Sequence, residues 1–571
     1  MTASSSAIHL SDLSRCEPAV HLSRERERGK WRLVDYSADG HDGTMVFAVP
    51  GEGAQPIALP IDVRGFFRVY AGINFSRFPW GDRLHHLPWP LYGQVQLKFD
   101  DDPGYSRCAF EGGWDGDLVD AKTIRGSRTY LSIQETMWRV REFTGPTRLW
   151  IAPMEEPYSD IAGARLSNLS YIRLVPVSSG ERAEWKRLEP RPDTRNLAMI
   201  WCSGMLSGHA MGSPMYHPTS AGWFRDEIAP FVNTDIGMLI FECIRGNLGM
   251  YPTKVGDIGS PGNAWDPSWA DPVATFRDLA REHGMKIFGG LRMMGPGFPM
   301  IDEPIGWGSF YWKHLEWAKL DRDGTPCNNV SLAFPEVRRH WLAMAREVLD
   351  YGIDGLALYL HRCQPFVLFE QPVLDAFREK YNEDARRLPM EDPRLREHWA
   401  GYVTEFVREM RDLVNEKPGR QLAIMFFGAP FKYDVDDAYS PLRYNCDVDT
   451  WIREGLADYL MPMAGADPKA LAHWRKLGGN KLHIWTDMMP RMQPGAKFAQ
   501  QARKFYEAGA DGLCFWDGER RPPHSSEWSV MSRLGHRDQL DFLEREAPTF
   551  YRFFPLEKLW GFNAQFSFKD G

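Results

Sequence analysis

From Asn196 onward one pattern recurs eight times: a short apolar run, a loop, then an amphipathic stretch. The apolar runs are LAMIWCSG (197–204), IGMLIFEC (236–243), MKIFGGLRM (285–293), IDGLALYLH (353–361), QLAIMFFG (421–428), ADYLMPMA (457–464), KLHIWTDM (481–488) and ADGLCFWD (510–517). Near-continuous apolar character is what strands covered on both faces require. The intervening stretches, such as ATFRDLAREHG, PEVRRHWLAMAREVLDYG and KFAQQARKFYEAG, carry helical periodicity. Several stop at a glycine, which adopts the positive φ of a helix terminus without steric cost. Eight strands alternating with helices is the count of a (β/α)8 TIM barrel, expected over 196–545. A doubly wound sheet is built from the same units, but no glycine-rich phosphate loop follows the first run.

The chain before this repeat follows another period. KWRLVDYSA, GTMVFAV, GFFRVYAGIN, GQVQLKF, RTYLSI, TRLWIAP and YIRLVPV are separated by Gly/Asp/Pro clusters such as DDDPGYS and FTGPT. Short strands at this spacing, with no helical pattern between them, predict an all-β sandwich over 1–180. The polar, Pro-containing stretch that follows reads as a linker over 181–195, which makes the protein multidomain. The tail 546–571, with YRFFPLEKLWGFNAQF, is too apolar to dangle and is expected to dock on the body.

Charge and composition narrow the function. Sixty-eight Lys and Arg against 76 Asp and Glu give a net charge of −8, the wrong sign for a nucleic-acid footprint. No run of 18 apolar residues occurs, so no membrane partner is expected. The opening MTASSSAIHLSDLSRCEPAV lacks the basic and apolar regions of a signal peptide, which points to the cytoplasm. Eight cysteines include no C-x-x-C and no Cys/His zinc spacing, so neither metal nor cofactor is expected. A homo-oligomer is left open. Twenty-two Trp, 20 Tyr and 33 Phe supply flat faces with polar handles, as a carbohydrate substrate requires, although a large aromatic core needs them equally.

A barrel of this kind works at the C-terminal ends of its strands. Strand two ends in Glu242 followed by Arg245, strand three in Arg292, and strand four in Tyr359, His361 and Arg362. On strand seven His483, Trp485 and Asp487 share the inward parity; strand eight ends in Trp516, Asp517 and Glu519. Glycosidic cleavage generally uses two carboxyl groups, about 5 Å apart for retention or about 6.5–9.5 Å for inversion. Asp487, Asp517 and Glu242 are the catalytic candidates. Tyr359, His361, Arg362, Arg292, Trp485, Trp516 and Arg245 are candidates for holding substrate. The alternative for each carboxylate is a simple pairing with a mouth arginine such as Arg292, Arg362, Arg491 or Arg520. Parity counted from Gly512 turns Trp516 inward and Asp517 outward unless the strand end bulges. The Asp-Gly steps at Asp354 and Asp511 open strands four and eight at the barrel bottom and read as structural. Asp434, Asp436 and Asp437 match no EF-hand spacing and read as loop solvation, and Asp447 and Asp449 as helix N-caps.

The segments PEVRRHW, DYGIDGLALYLHR, FEQPVLDAFREKYNED, CDVDTWIREGLADYLMP and ADGLCFWDGERRPPHSSEWSVMSRLGHRDQL together resemble the family 10-like glycoside hydrolases, bacterial barrels often joined to a β-domain. The resemblance implies a carbohydrate-active barrel. Fourth strands in that family read like D-G-I-x-L-D, and here Tyr359 replaces the acid. Three explanations follow: the acid pair comes from other strands, Tyr359 acts as nucleophile, or the barrel only binds sugar. A lyase or epimerase using Tyr359 or His361 as base is a further alternative.

Overall fold

A computed structural model describes residues 6–49, 51–76, 93–109, 131–153, 167–202, 221–258, 271–292, 308–362, 364–428, 441–490, 493–518 and 521–564. The repeat forms a closed barrel of eight parallel strands. In chain order these are Leu197–Trp201, Ile236–Arg245, Lys286–Arg292, Gly355–Tyr359, Gln421–Phe427, Tyr459–Met463, His483–Asp487 and Gly512–Phe515. Each pairs with its neighbour, and strand one closes the ring by pairing with both strand two and strand eight. Ala198, Ile200, Met238, Ile240, Phe288, Ala357, Met425, Met461 and Cys514 form one buried inner cluster. Alternate residues such as Leu239, Leu358, Ile484 and Leu513 join the much larger core beneath the helices. Both faces are buried, which is why the strands read as unbroken apolar runs.

Large rings fit the barrel interior because glycines face them. A Cβ on Gly512 would lie 2.7 Å from the Trp485 ring, and one on Gly290 would lie 2.2 Å from the Tyr359 hydroxyl oxygen. At the barrel bottom, three aspartates just before even-numbered strands each clamp the strand before them. Ile287 N donates to Asp354 Oδ2 at 2.8 Å, Leu422 N to Asp458 Oδ2 at 2.7 Å, and Ile484 N to Asp511 Oδ2 at 2.8 Å. Each aspartate returns its own N–H to the same residue's carbonyl. Asp354 and Asp511 are therefore structural, as their Asp-Gly steps suggest. Asp447 caps the helix Val448–Arg453, whereas Asp449 lies in its first turn and pairs with His473.

The β-region departs from its expected form. Its strands lie in a single 14-stranded order rather than two separate sheets. The join is the tail: Tyr551–Leu559 pairs antiparallel with Leu131–Phe143 on one side and with Trp31–Ala38 on the other. Residues 546–571 therefore do more than dock, because nine of them complete the sheet. The stretch expected as a linker carries the helix Ser179–Arg187, started by a capping box between Ser178 and Glu181. Its Trp185 is buried edge-on against Phe542, with ring centroids 5.2 Å apart. A polar composition hid an amphipathic turn anchored by one tryptophan. The β-region also bonds directly to the barrel's helices: Tyr105 N donates to Asp226 Oδ1 at 2.8 Å, and Arg107 pairs with Glu227.

Candidate active site

Strand two supplies two charged groups to the mouth through an irregularity. Glu242 pairs with Gly290 and Ile244 with Leu291, so Cys243 is an extra residue in the ladder. Such a bulge resets side-chain alternation. It lets Glu242 and Arg245, three residues apart, both align with inward positions of strand three, Gly290 and Arg292. Glu242 Oε1 lies 3.9 Å from Arg245 Nε, and the carboxylate is wholly buried.

Strand four places Tyr359 in the inner cluster, with His361 two residues on. The Tyr359 ring meets Trp516 edge-on at 5.2 Å, and His361 meets the same indole at 4.5 Å. The Arg362 guanidinium lies 4.8 Å over that ring. Strands four and eight thus touch across the mouth, and Trp516 is enclosed on several sides. Among the described residues the Tyr359 hydroxyl has no hydrogen-bond partner. Burial first, then the nearby Glu242 carboxylate, push this phenol well above its ordinary value, with Arg292 opposing. That shift favours the protonated, hydrogen-bond-donating phenol.

Strand seven turns Asp487 inward, as its parity predicts. Its two oxygens accept backbone N–H groups from the ends of both neighbouring strands: Oδ2 from Ala464 at 3.1 Å and Oδ1 from Trp516 at 3.2 Å. Ala464 holds a left-handed φ of 65° in doing so. Trp485, by contrast, packs edge-on to Tyr459 and over Gly512, one layer below the mouth.

Asp517 does not follow strand alternation. Its φ of 51° is left-handed, a conformation that asparagine and aspartate tolerate better than most side chains. The turn brings the carboxylate back to strand one, where the Cys202 thiol donates to Oδ1 at 3.2 Å. Cys202 packs against the inner cluster. Arg521, also buried, ties the turn down by donating to the Trp516 carbonyl at 3.2 Å and the Met488 carbonyl at 3.4 Å. The sequence signals neither Cys202 nor Ala464 as a mouth residue; Gly290, an inward glycine opposite an aromatic, is legible by parity alone. Glu519, Arg491, Arg520, Asp434, Asp436 and Asp437 lie outside the described residues.

No protein-family model matches the chain, and no curated protein does. Solved structures are similar at low level. The catalytic domain of a β-amylase from Paenibacillus polymyxa aligns at 10% identity and TM-score 0.43, covering 62% of this chain and 99% of its own. An α-galactosidase from Thermus thermophilus aligns at 11% and 0.33, covering 90% of this chain and 95% of its own. An endo-β-1,4-mannanase from Thermotoga petrophila aligns at 12% and 0.34, covering 60% and 77%. An archaeal fructose-1,6-bisphosphate aldolase aligns at 11% and 0.28, covering 62% and 98%. Similarity this distant carries no argument about activity.

Proposed function

We propose that this chain is a glycoside hydrolase of the family 10-like kind, with Asp487 and Asp517 as its carboxyl pair at the barrel mouth. The observation that carries the reading is the left-handed turn at Asp517. It turns a second carboxylate towards Cys202 at the end of strand one, and the residue before it, Trp516, donates its N–H to Asp487 Oδ1. Non-glycine left-handed residues cost energy and concentrate at functional sites. Here Ala464 donates its N–H to the Asp487 carboxylate, and so does Trp516, the residue just before Asp517.

A carboxylate held by two backbone N–H donors is stabilised in its charged form. Asp487 is therefore the group that attacks the anomeric carbon or activates a water. Asp517, which accepts from a weak thiol donor, gives its proton to the leaving oxygen as the C–O bond breaks and, where Asp487 has formed a glycosyl ester, takes one back from the water that hydrolyses it. Glu242 with Arg245, Arg292, His361 and Arg362 orient the sugar hydroxyls, and the Tyr359 phenol donates to one of them. Residues 196–545 form the catalytic barrel. Residues 1–180, with the strand from the tail, form a β-unit folded as two layers over its own core, which draws on Val69 and Ile73 as well as Val46 and Leu97.

The test is a panel of aryl glycosides and oligosaccharides, read by released aglycone and new reducing ends. Asp487→Asn and Asp517→Asn should each lower turnover by about 10²–10⁴ while leaving the unfolding transition in place, since each removes one general acid or base. A folded Asp487→Asn variant with near-full turnover removes Asp487 from the mechanism. If only Asp517→Asn keeps its rate, the second role passes to Glu242.

A further inference from the structure

A cavity of about 460 Å³ lies outside the ring of strands, between the β-region and the barrel's flank. Its walls come from strand Leu131–Phe143, helix Ser179–Arg187, the turn before strand two, and helix Ser525–Met531 with the residues after it. None of the mouth residues lines it. Its volume is that of a small-molecule site.

Four carboxylates line it, of which Asp101, Asp102 and Glu142 pair with Arg141, Arg139 and Arg182; the side-chain atoms left unsatisfied are one-sided. Buried side-chain atoms without a hydrogen-bond partner on this lining are Arg533 Nη1, Trp185 Nε1 and Arg141 Nε, and all three are donors. Trp185 is 7% exposed, so its indole N–H has no bulk water to turn to. Arg141 is otherwise engaged, pairing with Asp101. Arg533 has no ion pair among the described residues. Burial pulls its guanidinium below the ordinary arginine value, against the opposing pull of Asp235 and Glu189. Asp235 is already committed to His536 and Thr194. A guanidinium N–H buried without an acceptor is costly unless a ligand completes it.

We infer that this cavity binds a small sugar acid, whose carboxylate takes the Arg533 fork and the Trp185 N–H. The carboxylate supplies an acceptor to the donors left unsatisfied there, in the planar geometry guanidinium recognises. Ser529, Asn233 and Thr234 on the same walls suit the hydroxyls, and Trp528 and Phe66 suit the ring's apolar face. The site is independent of the chemistry assigned to the mouth.

Calorimetry and thermal unfolding of the full chain test this with glucuronate and gluconate against glucose, and with inorganic phosphate and acetate. The acids should bind and raise the melting temperature, as any ligand of the native state does, while glucose should not. Arg533→Met should weaken acid binding at least about tenfold, the weight of one charge-assisted hydrogen bond. The same substitution should leave the free protein as stable or more so, because it removes a buried N–H that has no acceptor. Trp185→Phe keeps the ring and should weaken binding by a smaller factor. Asp487→Asn should bind the acids like the parent, which separates this site from the mouth. Equal binding of glucose, tighter binding of phosphate than of any sugar acid, or no binding at all overturns the inference. So does an Arg533→Met variant that is less stable when free, since Arg533 would then be a structural residue.

Discussion

A methyl group on Gly290 would stand 2.2 Å from the Tyr359 hydroxyl oxygen and 2.6 Å from its Cζ, far inside a normal contact. Tyr359 is 1% exposed and cannot swing clear. Gly290→Ala should therefore cost about 1–3 kcal/mol, the usual cost of overpacking a filled interior. Tyr359→Phe removes the nearest atom, so the double variant should recover part of that loss, a coupling of about 0.5–3 kcal/mol. Urea unfolding of the four proteins reads it directly, and an unchanged midpoint for Gly290→Ala would show that the ring has room to move. Parity found Asp487 and Tyr359 because strands seven and four alternate without interruption to those positions. It failed for Asp517 and could not explain Glu242 with Arg245. A left-handed turn and a bulge reset the alternation there, and neither leaves a mark in side-chain hydrophobicity.

The barrel's elements were legible because each strand is buried on both faces and each helix has one apolar stripe. What holds adjacent strands in register was only half legible. Asp354 and Asp511 stand out through the glycine that follows, whereas Asp458 precedes Tyr459 and does the same work unannounced. The shared feature is position, the residue immediately before an even-numbered strand. Asp235 holds that place before strand two, but its carboxylate goes to Thr194 and His536 instead. Leu422 is fully buried, so Asp458→Ala strands its N–H without water. The expected loss is about 1–3 kcal/mol for an unsatisfied buried donor, with Asp458→Asn less damaging because it keeps an acceptor oxygen. Amide exchange at Leu422 should accelerate in the alanine variant; exchange as slow as in the parent would show that the clamp adds nothing.

At the scale of the whole molecule, the end of the chain is buried in its beginning. Strand Tyr551–Leu559 enters the β-region between strands that lie hundreds of residues earlier, and one carboxylate fastens it there. Glu135, wholly buried, accepts from Arg173 at 2.5 and 2.7 Å, from Arg552 of the tail at 2.8 Å, and from the Tyr171 hydroxyl at 2.9 Å. Burial alone would raise this carboxyl, but the guanidinium hydrogen bonds override it and hold it below its ordinary value. Its stabilisation is therefore complete above the unfolded value of about 4.5 and is lost as the pH falls through the lower, folded one. His9, beside the same cluster, is lowered to about 4, chiefly by burial and then by His41; His340 is likewise lowered to about 4. For these histidines the fold favours the neutral ring, so their contribution is complete above the unfolded value of about 6.5 and drains away between there and about 4. Stability should accordingly fall in two stages on acidification, the first from near pH 6.5 and the second below about 4.5. Glu135→Gln should cost about 1–3 kcal/mol at neutral pH, because it takes the charged acceptor from Arg173 and leaves Arg552 only Asp39, and should flatten the second stage while leaving the first. His9→Asn should reduce only the first, since His340 still titrates there. Urea midpoints measured from pH 3.5 to 8 separate the stages. A Glu135→Gln variant that keeps the parent's full loss below pH 4.5 would show that some other carboxylate governs acid unfolding.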